Sequence, residues 1–372
     1  MEDLSQAALS MRTAQQSDRL YKLDNLKGML AILVVLGHII SDNTIETAPA
    51  YRSMFLFIYS FHMPLFLFIA GYFHKNENIR QKIFYYCILN ALLRVMIYVI
   101  KSLCTGTFGR FSFANTDSCA WYLLAMAAYI GLTYLLRDQN PGFVLAISLV
   151  ISCFAGYDED IGDVLNLSRI IVFYPYYWTG YCCGQKKLLQ PHQKSDTIKA
   201  VQICIQILSV IVLVIWALVC ILDIEDVYEL RPYFTGRHPY KGTDATSLTG
   251  AATRLSCYVL TTLVGIALLC LMPEKKIPLL SNMGRYSLSI YFWHRPILYI
   301  LEKLGVWEFF YTTSHGWIGC ICLAVLLSVL LGTRICYQPL GALKTCIFGK
   351  SKQQNTVQGT KNVAVKEVHT HE

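Results

Sequence analysis

Five ionisable side chains fall inside apolar stretches of this sequence: His38, His62, Arg94, His294 and Arg295. Such groups are costly within a bilayer and mark sites there by default. His38 follows Lys27 by eleven residues, which is about 16 Å of helical rise. Lys27 and Asp24 then sit at one membrane edge, with His38 near the middle or slightly beyond it. Desolvation disfavours a charged imidazole. A neutral imidazole can take the proton of an alcohol, which is what general-base catalysis requires. Asp42 stands one turn further on, at i+4 from His38. Its carboxylate either orients the imidazole or is simply solvated at the helix end. Each histidine also has a structural reading, as a hydrogen-bonded packing residue. That alternative is stronger for His62 and His294, which stand beside Pro64 and Pro296. A proline frees a backbone carbonyl that a nearby donor can satisfy. Arg94 could pair with an acid or a carbonyl, and Trp121 and Trp317 read as interface anchors.

The elements that carry these residues are membrane helices. Of the 372 residues, 55% are hydrophobic and only 15% charged, and the mean hydropathy is +0.43. A soluble fold could not hide so much apolar surface behind so few charges. Disordered chains, fibrous repeats and ordinary cytosolic enzymes are excluded on the same ground. A bilayer needs about 20 apolar residues per helix. Ten candidate spans emerge, at 26–41, 51–73, 83–103, 119–136, 143–154, 170–183, 203–222, 252–272, 286–304 and 316–337. The alternative count is eight or nine. The fifth and sixth are short, and the sixth is aromatic-rich with Pro175 inside it. The expected fold is an all-α integral membrane protein of about ten transmembrane helices with both termini cytoplasmic. Its parts are a cytoplasmic segment at 1–22, a membrane domain at 23–340 and a polar cytoplasmic tail at 341–372. No cleavable signal peptide is expected, because the first apolar run is too long for one.

The net charge of +8 comes from 32 basic and 24 acidic residues. The basic residues lie in short segments between apolar runs. That fits loop charges better than a nucleic-acid stripe. With the N-terminus inside, basic residues are roughly twice as frequent in the cytoplasmic segments, which supports an even number of spans. The long outer loop, about 223–253, mixes acids with Tyr228, Tyr233, Phe234 and Tyr240, and loops of that length often carry function. Most of the fourteen cysteines lie in apolar runs and read as buried thiols, neither disulfides nor metal ligands.

Four segments together resemble the acyltransferase-3 family of multi-spanning membrane acyltransferases. The first is Leu23-Asp24-Asn25-Leu26-Lys27-Gly28 running into Leu36-Gly37-His38. Many members have Arg where this chain has Lys27, and Lys is similar to the fucose 4-O-acetylase-like branch. The second is Phe61-His62-Met63-Pro64-Leu65-Phe66 through Ile69-Ala70-Gly71-Tyr72-Phe73, followed by Arg80 and Lys82. The third is Trp121-Tyr122-Leu123-Leu124, and the fourth runs from Gly284-Arg285-Tyr286-Ser287 to His294-Arg295-Pro296.

The resemblance implies ten transmembrane helices and transfer of an acyl group, usually acetyl, from cytosolic acyl-CoA. The acceptor it implies is a sugar hydroxyl of a surface glycan or its lipid-linked precursor. His38 matches the family's catalytic histidine, Lys27 its basic partner, and His62 the histidine of the second motif. Lys27, Arg80, Lys82 and Arg94 are the candidates for CoA phosphates, although the basic run after the second span is less arginine-rich than the family pattern. Asp42, Trp121 and His294 are the candidates for the acceptor. In this expectation His38 is the base and His62 an oxyanion donor, with an acyl-histidine intermediate as the variant. Acyl-CoA is a substrate, and neither a resident cofactor nor a metal is expected. The implied location is a bacterial plasma membrane. Two readings from other classes remain open. One is a secondary transporter, which predicts paired broken helices. The other is a non-catalytic membrane component of a glycan assembly system.

Overall fold

The computed structural model describes residues 20–41, 49–109, 111, 119–158, 164–190, 196–237, 240, 248–312 and 315–349. All regular structure among them is helical. The principal elements are α1 (Tyr21–Ser41), α2 (Pro49–Tyr59), α3 (His62–Tyr72), α4 (Ile79–Thr105), α5 (Trp121–Leu136), α6 (Pro141–Phe154), α7 (Leu167–Gln185) and α8 (Asp196–Leu222). Two short helices follow, α9 (Ile224–Val227) and α10 (Arg231–Thr235). The chain continues through α11 (Thr249–Leu271), α12 (Pro278–Arg285), α13 (Ser287–Lys303), α14 (Val306–Thr312), α15 (Gly316–Leu331) and α16 (Arg334–Phe348).

Every expected span falls on a helix or a helix pair. Five stretches are long and apolar enough to cross a bilayer: α1, α2 with α3, α4, residues 200–222 of α8, and α11. The count rises to six if α15 and α16, bent by 52°, form one broken span. Helices α5 and α6 are apolar but shorter, at 16 and 14 residues. Tyrosines and Pro175 dilute the apolar character of α7. Helix α16 runs past residue 340 to Phe348, and Tyr85 of α4 packs against that final turn.

In the most apolar window of α8 only 17% of residues are buried, so Ile207, Leu208, Ile211 and Ile215 face outward. A continuous apolar face of that size suits lipid rather than water. Helices α2, α3, α11, α12, α13 and α15 pack on α1, whose Leu26, Leu30, Val35 and Ile39 are fully buried. Asn25 fixes its first turn. The Asn25 side chain donates to the carbonyls of Pro273 and Lys275 at 3.1 and 2.8 Å and accepts from Ser281 Oγ.

Helix α3 packs on α7 through small residues. A Cβ at Gly180 would collide with the Phe68 carbonyl oxygen, and one at Gly71 with that of Tyr177. Small residues of this kind let membrane helices touch at the backbone. Pro64 leaves the Ser60 carbonyl without its helical donor, at the break between α2 and α3. Thr261 Oγ1 of α11 donates to that carbonyl at 2.6 Å. Ser60 Oγ meanwhile accepts from Trp216 Nε1 of α8 at 2.9 Å. The break in the span is therefore closed by two neighbouring helices, as an apolar medium demands.

The fourteen cysteines are free thiols, and Cys87, Cys204, Cys322 and Cys346 are exposed on the helices rather than buried. No cluster of His, Cys, Asp or Glu among the described residues could hold a metal.

Candidate active site

Two histidines from two helices line one cavity, and a third packs against one of them. His38, near the C-terminal end of α1, is half-buried. Its ring centroid lies 5.2 Å from that of His294 on α13, with the planes tilted by 36°. His62 opens α3 and packs against Tyr59, centroid to centroid 4.7 Å. His38 and His62 both line a cavity of about 820 Å³.

The tautomers of two of these rings follow from their partners. His62 Nδ1 lies 2.8 Å from the Ile58 carbonyl. His294 Nδ1 lies 3.1 Å from the Ile290 carbonyl and 2.8 Å from that of Tyr291. A carbonyl only accepts, so each Nδ1 carries the proton and each neutral ring keeps a lone pair on Nε2. Buried His294 Nε2 has no hydrogen-bond partner among the described residues. The proline-freed carbonyl near His62 is not the one that His62 uses: Thr261 takes it, and His62 turns back one helical turn to Ile58.

The lining residues place the cavity mouth. Lys101, Thr105, Glu302 and Lys303 line it and are exposed. They lie at the C-terminal ends of α4 and α13, the same end as Ser41 of α1. The mouth is therefore at the far end from Lys27. A second, mostly apolar slot of about 140 Å³ shares Val34, Met63 and Tyr291 with the cavity. It runs between α1, α3, α4, α5 and α13 and reaches Ala31 and Ser287. Ser287 begins α13, so the slot points from the histidines back toward the Lys27 end.

Lys27 does not join the histidines. Its Nζ lies 2.8 Å from Asp24 Oδ1 and sits over the Phe73 ring at 5.2 Å. Arg80 is exposed in the first turn of α4, and Lys82 Nζ donates to the Lys75 carbonyl at 2.6 Å. These three share one end of the bundle. Arg94 lies fourteen residues beyond Arg80 on α4, about 21 Å along the helix. Its Nε donates to Asn90 Oδ1 at 3.1 Å, and Asn90 Nδ2 donates to the Ala120 carbonyl at 2.6 Å. Arg94 thus ties α4 to the start of α5, apart from Arg80 and Lys82. Trp121 lines the cavity, stacked on Phe173 at 5.5 Å with the Arg169 guanidinium 5.1 Å from its ring. Asp42 lies outside the described residues.

Residue types alone did not single out Arg169, Arg231, Tyr291 and Arg295 as parts of one site, yet all line the cavity. Arg295 carried a signal, as a second ionisable residue beside His294. Arg231 carried none, since it reads as an ordinary loop charge. In the long loop, Tyr233 and Tyr240 turn inward around Arg254: Tyr240 Oη donates to the Cys153 carbonyl at 2.8 Å and accepts from Arg254 Nε at 3.0 Å. Those aromatics anchor the loop, while Phe234 and Arg231 reach the cavity.

An acyltransferase domain family, Acyl_transf_3, matches residues 20–333. Two curated relatives are both described as nodulation protein NolL. The one from Mesorhizobium japonicum is 26% identical over 46% of this chain and 50% of its own length. The one from Sinorhizobium fredii is 24% identical over 46% of this chain and 51% of its own. The matched stretch thus spans about half the length of each relative. No solved structure matches the chain.

Proposed function

Because this chain belongs to the acyltransferase-3 family, we propose that it is a membrane-bound O-acyltransferase. The donor is cytosolic acyl-CoA, with acetyl as the acyl group. The acceptor is a hydroxyl of a sugar in a surface glycan or its lipid-linked precursor. The observation that carries this reading is that His38, backed by His294, and His62 line a wide cavity that shares residues with a narrow slot. The basic excess on the Lys27 side supports a cytoplasmic placement of that side. The cavity then opens outward, in a bacterial plasma membrane.

Acyl-CoA docks at the inner edge, where Lys27, Arg80 and Lys82 are gathered. Lysine and arginine form charge-assisted hydrogen bonds with phosphates. The thin pantetheine arm follows the apolar slot and brings the thioester to His38. The sugar hydroxyl comes through the outer cavity. His38 takes the hydroxyl proton, and the alkoxide oxygen attacks the thioester carbonyl carbon. The resulting tetrahedral oxyanion collapses, the C–S bond breaks, and the CoA thiolate takes the proton back from His38. The buried His294 ring packs against that of His38 with centroids 5.2 Å apart and holds it in position, the orienting role first considered for Asp42. Neutral His62 presents an acceptor toward the cavity, so it orients the sugar hydroxyl. The oxyanion falls to the Arg295 guanidinium, since preorganised donors stabilise developing charge best in a water-poor site. No resident cofactor takes part.

A transporter would want a matched pair of broken helices at the substrate path. The α2–α3 break borders the cavity through Tyr59 and His62, but the 52° break between α15 and α16 falls at Gly332 and Thr333, which do not line it. Proteoliposomes of known orientation test the proposal. Radiolabelled acetyl-CoA supplied on the Lys27 side should acetylate glycan oligosaccharides supplied on the cavity side. Turnover only with both substrates on the same side would sink the cross-membrane mechanism, and no turnover in any arrangement would sink the acyltransferase reading.

A further inference from the structure

The outer cavity is built for charge. Among its described lining residues, Lys101, Arg169, Arg231, Arg237, Arg295 and Lys303 are cationic and Glu302 alone is acidic. Two of the cations are held by aromatic faces. The Arg231 guanidinium lies 5.2 Å from the Phe55 ring and 5.7 Å from that of Tyr228. Lys101 Nζ lies 5.8 Å from the Tyr299 ring. These contacts fix the position of a cation while its charge stays available, because a ring face does not neutralise it. A low-dielectric cleft lined by one sign of charge concentrates ligands of the opposite sign. A guanidinium matches the two oxygens of a carboxylate or phosphate.

We infer that the mouth of this cavity binds an acidic group, carboxylate or phosphate, carried by the acceptor. The inference rests on the acyltransferase reading and narrows its acceptor to an acidic sugar or a sugar phosphate. Acyl-CoA also carries phosphates. It reaches His38 from the Lys27 end through the narrow slot, whereas these cations stand at the opposite, wide end. The sugar's acidic group anchors on Arg231 and the rim lysines. Its ring then lies along the Trp121 wall, with a hydroxyl directed at His38.

The test compares wild type with an Arg231→Gln/Lys303→Gln variant in nanodiscs. Calorimetric titration measures binding of three probes: methyl β-D-glucuronide, glucose 6-phosphate and neutral methyl β-D-glucoside. Acetyl-CoA affinity is measured on the same preparations. Wild type should bind both anionic probes about tenfold more tightly than the neutral one, a difference that shrinks as salt rises. The variant should bind all three alike while keeping its acetyl-CoA affinity. The charge-keeping pair Arg231→Lys/Lys303→Arg should retain the preference, which separates lost charge from lost folding. Equal binding of the three probes by wild type overturns the inference, as does a preference that survives in the Gln variant. A Gln variant that loses acetyl-CoA instead of the anionic sugars also overturns it, since the cations then serve the donor. If wild type prefers the anionic probes but does not bind acetyl-CoA, the anion site stands and the acyltransferase reading falls.

Discussion

The hydrogen bonds of His62 and His294 decide what each ring can do. With Nδ1 donating to a carbonyl, both keep an Nε2 acceptor, and neither is an oxyanion donor while neutral. His294→Ala removes the ring that packs against His38. A misplacement of a catalytic group by about 1 Å can cost about a hundredfold. The expected result is a kcat lower by about ten- to a hundredfold, with KM for acetyl-CoA unchanged, read from initial rates. An equal fall in acetyl-CoA affinity would place His294 in donor binding instead. The candidate residues on the first two motifs were legible because the Lys27-to-His38 spacing and the His62-Met63-Pro64 segment are local in sequence. The pairing of His38 with His294 was not, since it depends on α1 and α13 packing side by side, 256 positions apart. Arg231 was hidden for a similar reason: only the fold of the long loop turns it toward the cavity.

Two contacts between elements hold α3, and with it His62, in place. Thr261→Val keeps the shape of the side chain and removes the donor to the Ser60 carbonyl. The orphaned carbonyl should cost about 1–3 kcal/mol, read as a lower unfolding temperature in detergent by fluorescence-detected gel filtration. Gly180→Val should be more damaging, because its Cβ meets backbone rather than a movable side chain. Its expected outcome is loss of the monodisperse peak, and a wild-type profile would show that α3 and α7 pack less closely than described. Helix positions were readable from apolar runs, and each run did become helical. The break inside the second span was hinted at by Pro64. The α15–α16 bend was not, because residues 316–337 read as one continuous run.

At the scale of the molecule, α8 turns an apolar face outward, and the slot and the charged cavity lie one behind the other along the bundle. Sidedness is testable by single cysteines in a background lacking the native thiols. Lys303→Cys should react with an impermeant maleimide in intact cells, and Arg80→Cys only after permeabilisation. The reverse pattern would put the cavity on the cytoplasmic side and hand its cations to acyl-CoA. Composition made the membrane class plain, whereas the cavity, being assembled from the ends of several helices, has no signature in any one segment.

The most direct measurement is turnover of radiolabelled acetyl-CoA by purified wild type and His38→Ala in nanodiscs. Wild type should release CoA or form labelled product. His38→Ala, at equal folded yield and equal acetyl-CoA affinity, should be slower by about 10²–10⁴-fold, the usual contribution of a general base. Equal turnover by the two proteins would contradict the account, because a base other than His38 would then be doing the chemistry.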